Sequence, residues 1–369
     1  MRVCFLPTPG STLAAWISVA IVAIAGTGCG AAKSVHTPGT TAPRALPAVV
    51  CSSFASTTAT KDGTGTVSHP YGSVQALVDN LRPGDTGCLR PGVYRERVSV
   101  VHGGTAARPV ILASEPGTRA ELRGTLWVAR GADYVTIRSL DLNGVTVPGV
   151  PSPQVNADHT TFLDVDVTNE HTGTCFVLGG SADTYGVASE TTIAWSRVHD
   201  CGVLPRTHLD QGIYLAHTRG AKIVDNTIYD NADWAIHLFP DAQGSDIAFN
   251  VLDGNGDGVI FAGTGSMASS GNYVANNVIA NTKDDGDAGD SGNNYGYLVT
   301  SFWGDLVGRN NVLASNCLWQ GASGAVNLSG GGFVSSANRF ADPEYEDAVA
   351  KDFRLLPGSP CAGDGPRSR

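Results

Sequence analysis

The amino-acid sequence predicts an all-β fold, a solenoid of short strands, and three observations support this prediction. A motif recurs along the chain, and its clearest copies are residues 223–231 (IVDNTIYDN) and 247–255 (IAFNVLDGN), which begin 24 residues apart. Within each copy, apolar and polar residues alternate with a period of two, as in a half-buried strand. The chain also has 46 glycines and only 16% charged residues, which suits tight turns and stacked polar ladders better than helices. A repeat period in the twenties combined with this alternation is typical of a solenoid.

The motif continues in both directions from these two copies. It appears downstream in residues 274–281 and 307–316, and in weaker form upstream in residues 137–142, 162–167 and 193–198. Taking one apolar position per copy as equivalent gives intervals of 25, 31, 30, 24, 27 and 34 residues. These positions are Leu142, Val167, Val198, Ile228, Leu252, Ile279 and Leu313. The variable extra length is expected in loops at particular corners of the solenoid.

These repeats resemble those of the right-handed parallel β-helix proteins of bacteria, the pectin-lyase-like architecture, over roughly residues 68–365. The run from Ser73 to Ile111 resembles the usual beginning of such proteins, and the runs that start at Ala341 and Asp352 resemble their usual ending. The resemblance implies one right-handed parallel β-helix domain with its caps, residues 51–369. It leaves function open, because lyases, hydrolases, epimerases and non-catalytic proteins share this fold.

One short helix is expected at the N-terminal end of the solenoid. Ser73 suits the N-cap position, apolar residues follow at helical spacing up to Leu81, and Pro83 and Gly84 end the pattern. An amphipathic helix there would cap the open end of the solenoid, which otherwise exposes its core.

The first 28 residues are interpreted as a signal peptide of the lipoprotein type. Residues 13–25 form an apolar run shorter than a membrane span. Gly26-Thr27-Gly28-Cys29 resembles a bacterial lipobox with Cys29 as the lipidated residue, and ordinary secretion is the alternative. Residues 29–50, rich in Thr, Pro and Ala, are read as a flexible tether. The protein is therefore expected on the outer face of the cell membrane, held only by the lipid anchor, or secreted.

The cysteines support export. Of 8 in all, Cys4 lies in the signal peptide and Cys29 in the lipobox. The remaining six are an even number, as expected for disulfides in an exported chain. Three pairings are favoured, which would fasten the N-terminal cap, two adjacent rungs and the C-terminal cap: Cys51–Cys88, Cys175–Cys201 and Cys317–Cys361. No Cys-x-x-Cys spacing occurs, which argues against a zinc site.

Charge narrows the range of partners. The formal net charge is −10 and the isoelectric point is about 5.3, which disfavours binding to nucleic acid or to an anionic membrane surface. An acidic chain suits a divalent cation as intermediary to an anionic polymer, and a solvated acidic surface is the other explanation. A monomer without an organic cofactor is expected.

Candidate catalytic side chains gather on two consecutive rungs. Because successive side chains of a strand alternate between its faces, every second residue is expected to point outward. Aligning Ile213 with Ile236 places His237 beside Tyr214, about 4.8 Å away. The expected outward residues are His208, Asp210, Gly212 and Tyr214 on one rung, and Asp233, Ala235, His237 and Phe239 on the next. The same alternation predicts one outward column made of Val177, Tyr214, His237 and Ile260.

This constellation suits chemistry on a uronate. Two adjacent carboxylates are not both comfortably ionised, so either one is protonated or a cation lies between them. If Asp210 and Asp233 hold Ca²⁺, the ion would neutralise a uronate carboxylate. His237 or His208 would then remove the α-proton, and Tyr214 would protonate the leaving oxygen. The reaction is β-elimination, or C5 epimerisation if the proton returns from the other face.

Other interpretations stay open. Without a metal, the same carboxylates could act as acid and as nucleophile or base in glycoside hydrolysis. The Asp and His residues could also be only solvated, or paired with Arg206 and Arg219, in a non-catalytic carbohydrate-binding or cell-wall protein. Sugar contacts are assigned to Arg206, Phe239 and Trp303. The sequence thus favours an exported polysaccharide lyase or epimerase and leaves open whether the protein is an enzyme at all.

Asparagines recur at fixed places in the motif, and a structural role is predicted for them. Stacked Asn side chains can hydrogen-bond along a ladder, and Asn tolerates the left-handed backbone of corners. Two columns are expected: Asn226, Asn250, Asn277 and Asn311 in one, and Asn231, Asn255, Asn281 and Asn316 in the other.

Overall fold

A computed structural model describes most of the chain after residue 47. The described residues are 48–180, 185–207, 209–283, 296–301, 306–320, 328 and 330–367. All described residues belong to one compact unit. The signal peptide, the lipidation site Cys29 and residues 29–47 of the tether lie outside the described residues and stay predictions. Within the described ranges, no helix is both long and apolar enough to cross a membrane.

Short strands make up nearly all of the regular structure, and they are numbered in chain order. The first sixteen are β1 (Ser53–Ala55), β2 (Thr86–Leu89), β3 (Val93–Tyr94), β4 (Arg97–Val100), β5 (Val110–Ser114), β6 (Ala120–Arg123), β7 (Thr125–Val128), β8 (Val135–Arg138), β9 (Leu140–Asn143), β10 (Gln154–Val155), β11 (Thr161–Leu163), β12 (Asp166–Thr168), β13 (Phe176–Leu178), β14 (Ala188–Ser189), β15 (Thr192–Ala194) and β16 (Arg197–His199). The others are β17 (Ile213–Arg219), β18 (Lys222–Val224), β19 (Thr227–Tyr229), β20 (Trp234–Gln243), β21 (Asp246–Ala248), β22 (Val251–Asp253), β23 (Asp257–Phe261), β24 (Gly263–Thr264), β25 (Met267–Ala268), β26 (Tyr273–Ala275), β27 (Val278–Ala280), β28 (Val299–Thr300), β29 (Asn311–Ala314), β30 (Cys317–Trp319), β31 (Phe333–Ser336), β32 (Arg339–Phe340), β33 (Tyr345–Asp347) and β34 (Asp352–Leu355).

Three parallel sheets run along the solenoid. Sheet A has the order β1-β2-β5-β8-β11-β15-β18-β21-β26-β29-β31, and sheet B has the order β3-β6-β9-β12-β16-β19-β22-β27-β30-β32. Sheet C has the order β4-β7-β10-β13-β17-β20-β23-β28, with β14 beside β17. The chain visits A, B and C in turn, so that each rung pairs in parallel with the next. This is a parallel β-helix, and the predicted fold class is confirmed in that respect.

A full rung has three strands, one in each sheet. The repeated motif contains two of them, because the chain turns at a buried asparagine in its middle. In one copy, β18 lies in sheet A, Asn226 occupies the corner, and β19 lies in sheet B. The Asn226 side chain donates to the backbone oxygen of Ile193 (2.9 Å) and so ties this corner to the preceding rung.

The asparagines form buried ladders, as predicted. In the longer ladder each amide donates to Oδ1 of the next rung at 2.9–3.0 Å, through Asn226, Asn250, Asn277, Asn316 and Asn338. A shorter step joins Asn231 to Asn255 (2.8 Å). Three residues depart from the predicted columns: Asn316 belongs to the first ladder, Asn311 instead accepts from Asn272 (3.0 Å), and Asn281 donates to Asp253 Oδ2 (2.8 Å).

The equivalent apolar positions form a column inside sheet B, with one correction. The register aligns six of them in neighbouring strands: Leu142, Val167, Val198, Ile228, Leu252 and Ile279. The next member is Leu318, because Leu313 pairs with Val274 in sheet A. The rung between Asn277 and Asn316 is 39 residues long, and this extra length displaced the sequence alignment by one strand.

The helix α1 (Val74–Asn80) is present with Ser73 as its N-cap. Ser73 Oγ accepts from the Ala76 backbone N (3.1 Å), and Val74, Leu77 and Val78 are buried. The carboxylate of Glu96 accepts from the backbone N of Val74 (2.9 Å) and of its neighbour in the first turn. These contacts fix the helix against the first rungs, and its role as a cap stays a prediction.

The three predicted disulfides are all present. Their Cα–Cα distances are 5.6 Å for Cys51–Cys88, 5.6 Å for Cys175–Cys201 and 5.5 Å for Cys317–Cys361. The last one holds the C-terminal segment on the outer face of sheet B. There, Phe353 joins Val251 and Val278 in an apolar cluster separate from the main core.

Candidate functional site

The candidate site lies on the outward face of sheet C, where β17 and β20 are neighbours. The register pairs Tyr214 with His237, as predicted, and places Val177 and Ile260 on the flanking strands. The ring centroids of Tyr214 and His237 are 5.2 Å apart. Ile260 pairs in turn with Thr300 of β28. The predicted outward column of Val177, Tyr214, His237 and Ile260 is therefore confirmed, and Thr300 continues it toward the C terminus.

The alternation breaks just before His237. Ala235, predicted to point outward, belongs to the main core together with Ile236. Trp234 lies outside instead and packs against Ile260 and Ala262. Alternation holds only while the strand backbone is regular, so two consecutive inward residues bring an indole to the site in place of a methyl group. The prediction for Ala235 is wrong for this reason.

A buried cluster of one guanidinium and two carboxylates adjoins this column. Arg206 Nη1 lies 2.7 Å from Asp257 Oδ2 and 3.4 Å from Asp233 Oδ1, and only 1% of Arg206 is exposed. Asp257 Oδ1 also accepts from the backbone N of Tyr297. Charges removed this far from water are tolerated only when they are paired and hydrogen-bonded. A cation was expected between carboxylates in this region, and here an arginine occupies such a position.

Asp257 is a site residue that the sequence analysis missed. Its backbone N donates to the Asp233 carbonyl (3.0 Å), and the Asp233 backbone N donates to the Asp210 carbonyl (3.1 Å). The three aspartates therefore occupy corresponding places on three consecutive rungs. Their regular spacing in the sequence was the signal that would have identified the third.

Asp210 organises the loop that carries Arg206. Its Oδ1 accepts from the Val203 backbone N (2.6 Å), and its Oδ2 accepts from both the backbone N and the hydroxyl of Thr207, the latter at 2.7 Å. The carboxylate is buried. Three donors from one loop thus hold the turn that delivers Arg206 to Asp233 and Asp257.

His237 is held by a neutral amide. Its Nδ1 lies 3.1 Å from Gln211 Nε2, and the oxygen of that amide lies 3.1 Å from Thr174 Oγ1. The imidazole is buried and has the rings of Trp234 and Phe239 at centroid distances of 5.9 and 5.7 Å. Gln211 was not among the predicted site residues, because an amide beside a short strand carries no distinctive sequence signal.

Two aromatic neighbours offer protons to this site. Burial raises the pKa of Tyr214 to about 12, so its hydroxyl stays protonated at neutral pH. The indole Nε1 of Trp234 is buried, and within the described part of the chain it has no hydrogen-bond partner. An unsatisfied buried donor costs about 1–3 kcal/mol, so the indole N–H of Trp234 is suited to donate a hydrogen bond to an oxygen atom of a ligand.

The predicted calcium ligands have other partners in this structure. Both oxygens of Asp210 accept bonds from its own loop, and Asp233 is ion-paired with Arg206. Among the described residues, no group of three or more His, Cys, Asp or Glu side chains is arranged to hold a metal ion. Because protein donors already engage both carboxylates, the described contacts do not favour a calcium ion between them, and the calcium site stays a prediction.

Two predicted site residues, His208 and Trp303, lie outside the described residues. Phe239 is half-buried on the same face as His237, so its assigned sugar contact stays a prediction. Arg206, also assigned to substrate, is instead engaged by Asp233 and Asp257. Arg219 lies elsewhere and pairs with Asp241 (2.7 Å).

A second polar cluster lies on sheet B. His199 Nε2 is 2.7 Å from Asp166 Oδ1, and His199 Nδ1 is 2.6 Å from Asp200 Oδ2. Tyr229 stacks on His199 with ring centroids 4.8 Å apart. Arg197 pairs with Asp166 (3.4 Å). Burial alone would lower the pKa of His199, but the bonds to Asp166 and Asp200 and their charges raise it to about 9.

Comparison with solved structures finds proteins of the same fold. The chain is similar to the pectate lyase Pel9A (TM-score 0.55, 14% identity, covering 84% of this chain and 90% of that chain). It is similar to a rhamnogalacturonan lyase (TM-score 0.55, 12% identity, 85% and 94%). It is also similar to the A-module of the mannuronan C-5 epimerase AlgE4 of Azotobacter vinelandii (TM-score 0.50, 15% identity, 73% and 72%). No family model and no curated protein matches the sequence. The likeness confirms the pectin-lyase-like parallel β-helix.

Proposed function

We propose that the protein acts on uronate-containing polysaccharide by β-elimination or C5 epimerisation at the site around His237. The observation that carries the proposal is the pairing of His237 with Tyr214 on adjacent rungs of the outward face, with ring centroids 5.2 Å apart. A base and a protonated phenol that close together can act on neighbouring atoms of one sugar ring. The named activities of the structurally similar lyases and epimerase support the same substrate class.

The chemistry assigns one proton to each group. The Thr174 hydroxyl donates to the Leu209 carbonyl (2.6 Å), so the Gln211 amide, with its oxygen and nitrogen exchanged, donates to Thr174 Oγ1 and accepts from Nδ1–H of His237. In that tautomer Nε2 is unprotonated, and it takes the proton from C5 of the uronate. The electron pair of that C–H bond forms the C4–C5 double bond, and the C4–O bond breaks. The leaving oxygen takes the phenol proton of Tyr214, whose raised pKa of about 12 keeps that proton available. In epimerisation the C4–O bond stays intact, and Tyr214 returns a proton to the opposite face of C5.

The buried ion cluster supports this assignment by holding the site in place. Arg206 joins Asp233 of one rung to Asp257 of the next, which fixes the rung that carries His237. Salt bridges favour the ionised form of both carboxylates. Glycoside hydrolysis needs one carboxyl group protonated, so this pairing makes a hydrolase the weaker alternative. A non-catalytic glycan-binding protein is the second alternative.

Export is part of the proposal. Three disulfides in one β-helix suit an oxidising compartment. They support placing the mature protein outside the cell, either anchored through Cys29 or free. A polymer substrate would be met there.

The test offers pectate, alginate and a glycosaminoglycan to the purified protein, with and without Ca²⁺. The readouts are ultraviolet absorbance of an unsaturated product, deuterium uptake at C5 from heavy water, and new reducing ends. We expect absorbance or deuterium uptake on at least one polymer, and its loss in His237→Gln. The matched control is His159→Gln, an exposed histidine stacked on Tyr134 (4.4 Å) away from the site.

Each outcome separates the alternatives. Reducing ends without absorbance or deuterium uptake would establish the hydrolase instead. No product on any polymer, with binding retained, would leave the non-catalytic protein. A signal that survives in His237→Gln would place the chemistry elsewhere.

A further inference from the structure

A second feature of sheet C lies three rungs toward the N terminus from Tyr214. Trp127 of β7 pairs in register with Gln154, Gln154 with Val177, and Val177 with Tyr214. These side chains therefore share one outward column. At 4.7–4.9 Å per rung, Trp127 lies about 14 Å from Tyr214 along the solenoid.

The indole of Trp127 is both exposed and held in one orientation. It is 37% exposed, and its Nε1 donates to Asn156 Oδ1 (2.8 Å). Asn156 itself is 1% exposed, and among the described residues its amide nitrogen has no hydrogen-bond partner. An exposed ring fixed beside an unsatisfied buried donor is suited to a ligand that has an apolar face and oxygen atoms on its edge.

Two further exposed side chains, Arg130 and Tyr185, lie near the C-terminal ends of the sheet C strands, the end at which Asn156 also lies. Arg130 is exposed, and in the described part of the chain it makes no salt bridge or hydrogen bond. Its Cδ packs against Gly186, where an added Cβ would lie only 3.1 Å away. Tyr185, which is 52% exposed, packs against Gly180. Gly180 lies close to Asn156, because the backbone N of the preceding residue, Gly179, donates to the carbonyl of Val155 (2.7 Å), which directly precedes Asn156.

The guanidinium of Arg130 indicates the charge of the ligand. Arg206 at the candidate site is paired with two aspartates, whereas Arg130 pairs with no carboxylate among the described residues of this chain, whose net charge is −10. A free guanidinium binds a carboxylate through two parallel hydrogen bonds. The patch therefore combines a fixed aromatic ring, a neutral amide donor and one available positive charge.

We propose that Trp127, Arg130, Asn156 and Tyr185 form a second sugar-binding site for an acidic glycan, which we call the Trp127 patch. The indole receives the apolar face of a sugar ring, and Arg130 receives its carboxylate. This inference rests on the proposed function, because the patch and the His237 site share one column and one polymer chain would span both. The patch binds the substrate at a distance and takes no part in the proton transfers.

The test measures binding of polygalacturonate, alginate and neutral xylan to wild type, Trp127→Ala and Arg130→Gln by calorimetry at two salt concentrations. We expect each variant to weaken binding of the acidic polymer about tenfold, a loss of one decade in Kd. Arg130→Gln should also reduce the salt dependence. The matched control is Arg354→Gln, whose exposed guanidinium is paired with Asp352 beyond the outer face of sheet B, and it should bind as wild type does.

Kinetics separate this inference from the proposed function. If the polymer is also turned over, the Trp127 and Arg130 variants should raise KM and leave kcat unchanged, because bond breaking is confined to the His237 site. Unchanged polymer affinity in both variants overturns the patch and leaves the proposed function standing. Binding that needs the patch without any product overturns the proposed function and leaves the patch. Tighter binding of xylan than of the acidic polymers contradicts the role of Arg130.

Discussion

Two histidines on neighbouring faces of the solenoid look alike in sequence and have different surroundings in the structure. His237 on sheet C and His199 on sheet B each lie beside a tyrosine of a neighbouring rung, with ring centroids 5.2 and 4.8 Å apart. His199 has a carboxylate on each ring nitrogen, and these raise its pKa to about 9. His237 has a neutral amide on Nδ1. The identity of the partner therefore decides whether such a histidine is a candidate base.

The tyrosines differ in the same way. The Tyr229 hydroxyl receives a hydrogen bond from Arg197, and the ring is covered by Phe353 of the C-terminal segment (5.5 Å). Tyr214 is half-buried on the outward face of the candidate site. The His199–Tyr229 pair is held by two carboxylates and a guanidinium, which suits a role in stability. The His237–Tyr214 pair, whose imidazole contacts a neutral amide, is the better candidate for substrate.

The largest expected effect separates the two histidines by activity. His237→Gln should lower the turnover of the responsive polymer by about 10²–10⁴-fold, the usual contribution of a general base. His199→Gln should leave turnover within about twofold, because a protonated imidazole at neutral pH cannot accept a proton. Initial rates at saturating polymer measure both. A comparable loss of turnover in His199→Gln would contradict the assignment of the base to His237 rather than His199.

The next effect separates the two arginines by stability. Arg206→Met leaves Asp233 and Asp257 buried without their cation, so it should lower the free energy of unfolding by about 3–5 kcal/mol. Arg197→Met removes a half-exposed pairing with Asp166 and should cost about 0–1 kcal/mol. Urea unfolding of both variants gives the comparison.

A triple variant tests whether the unpaired buried carboxylates of Asp233 and Asp257 cause the loss of stability in Arg206→Met. Adding Asp233→Asn and Asp257→Asn to Arg206→Met should recover part of the lost stability, since uncompensated carboxylates are the cause of the loss. A triple variant less stable than Arg206→Met would show that the damage comes from packing around Arg206.

The third effect is the pH dependence that His199 gives to folding. Its folded pKa of about 9 exceeds the unfolded value near 6.5. The stabilisation is therefore fully present below about pH 6.5 and is lost as the pH rises through about 9. The loss is on the order of 3 kcal/mol, because a shift from about 6.5 to about 9 corresponds to 1.36 kcal/mol per pKa unit. The measurement is the difference in unfolding free energy between wild type and His199→Gln at pH 6 and at pH 10, which should shrink at the higher pH.

Much of the fold could be predicted from the sequence, because each rung of a solenoid repeats the same pattern of apolar and polar residues. Ile228, Leu252 and Ile279 occupy the same inward position in successive rungs, and each copy of the motif independently indicates the same register. The pattern failed where a rung was long, and Leu313 was placed one strand away from its true neighbour. Periodicity carries information only while the loops between copies stay short.

The candidate site was less accessible, because it depends on departures from the repeat. The pairing of Tyr214 with His237 followed from the alternation of side chains. The outward position of Trp234 arises because Ala235 and Ile236 both point inward, and the sequence pattern does not predict this irregularity. The place of Arg206 depends on the loop that Asp210 organises through three hydrogen bonds. Those bonds occur in one rung only, so they produce no repeated pattern in the sequence.

The last comparison concerns the two tyrosine hydroxyls, and its effect on stability is the smallest. Tyr229→Phe removes only a hydrogen bond from the half-exposed Arg197, so it should lower the unfolding free energy by about 0.5–1.5 kcal/mol and leave turnover unchanged. Tyr214→Phe should leave stability nearly unchanged and lower turnover by about 10²-fold or more, because the leaving oxygen loses its proton donor. Thermal unfolding and initial rates on the same preparations give both quantities. Equal loss of turnover in the two variants would show that the effect is not specific to the Tyr214 hydroxyl, and its role as the acid would have to be abandoned.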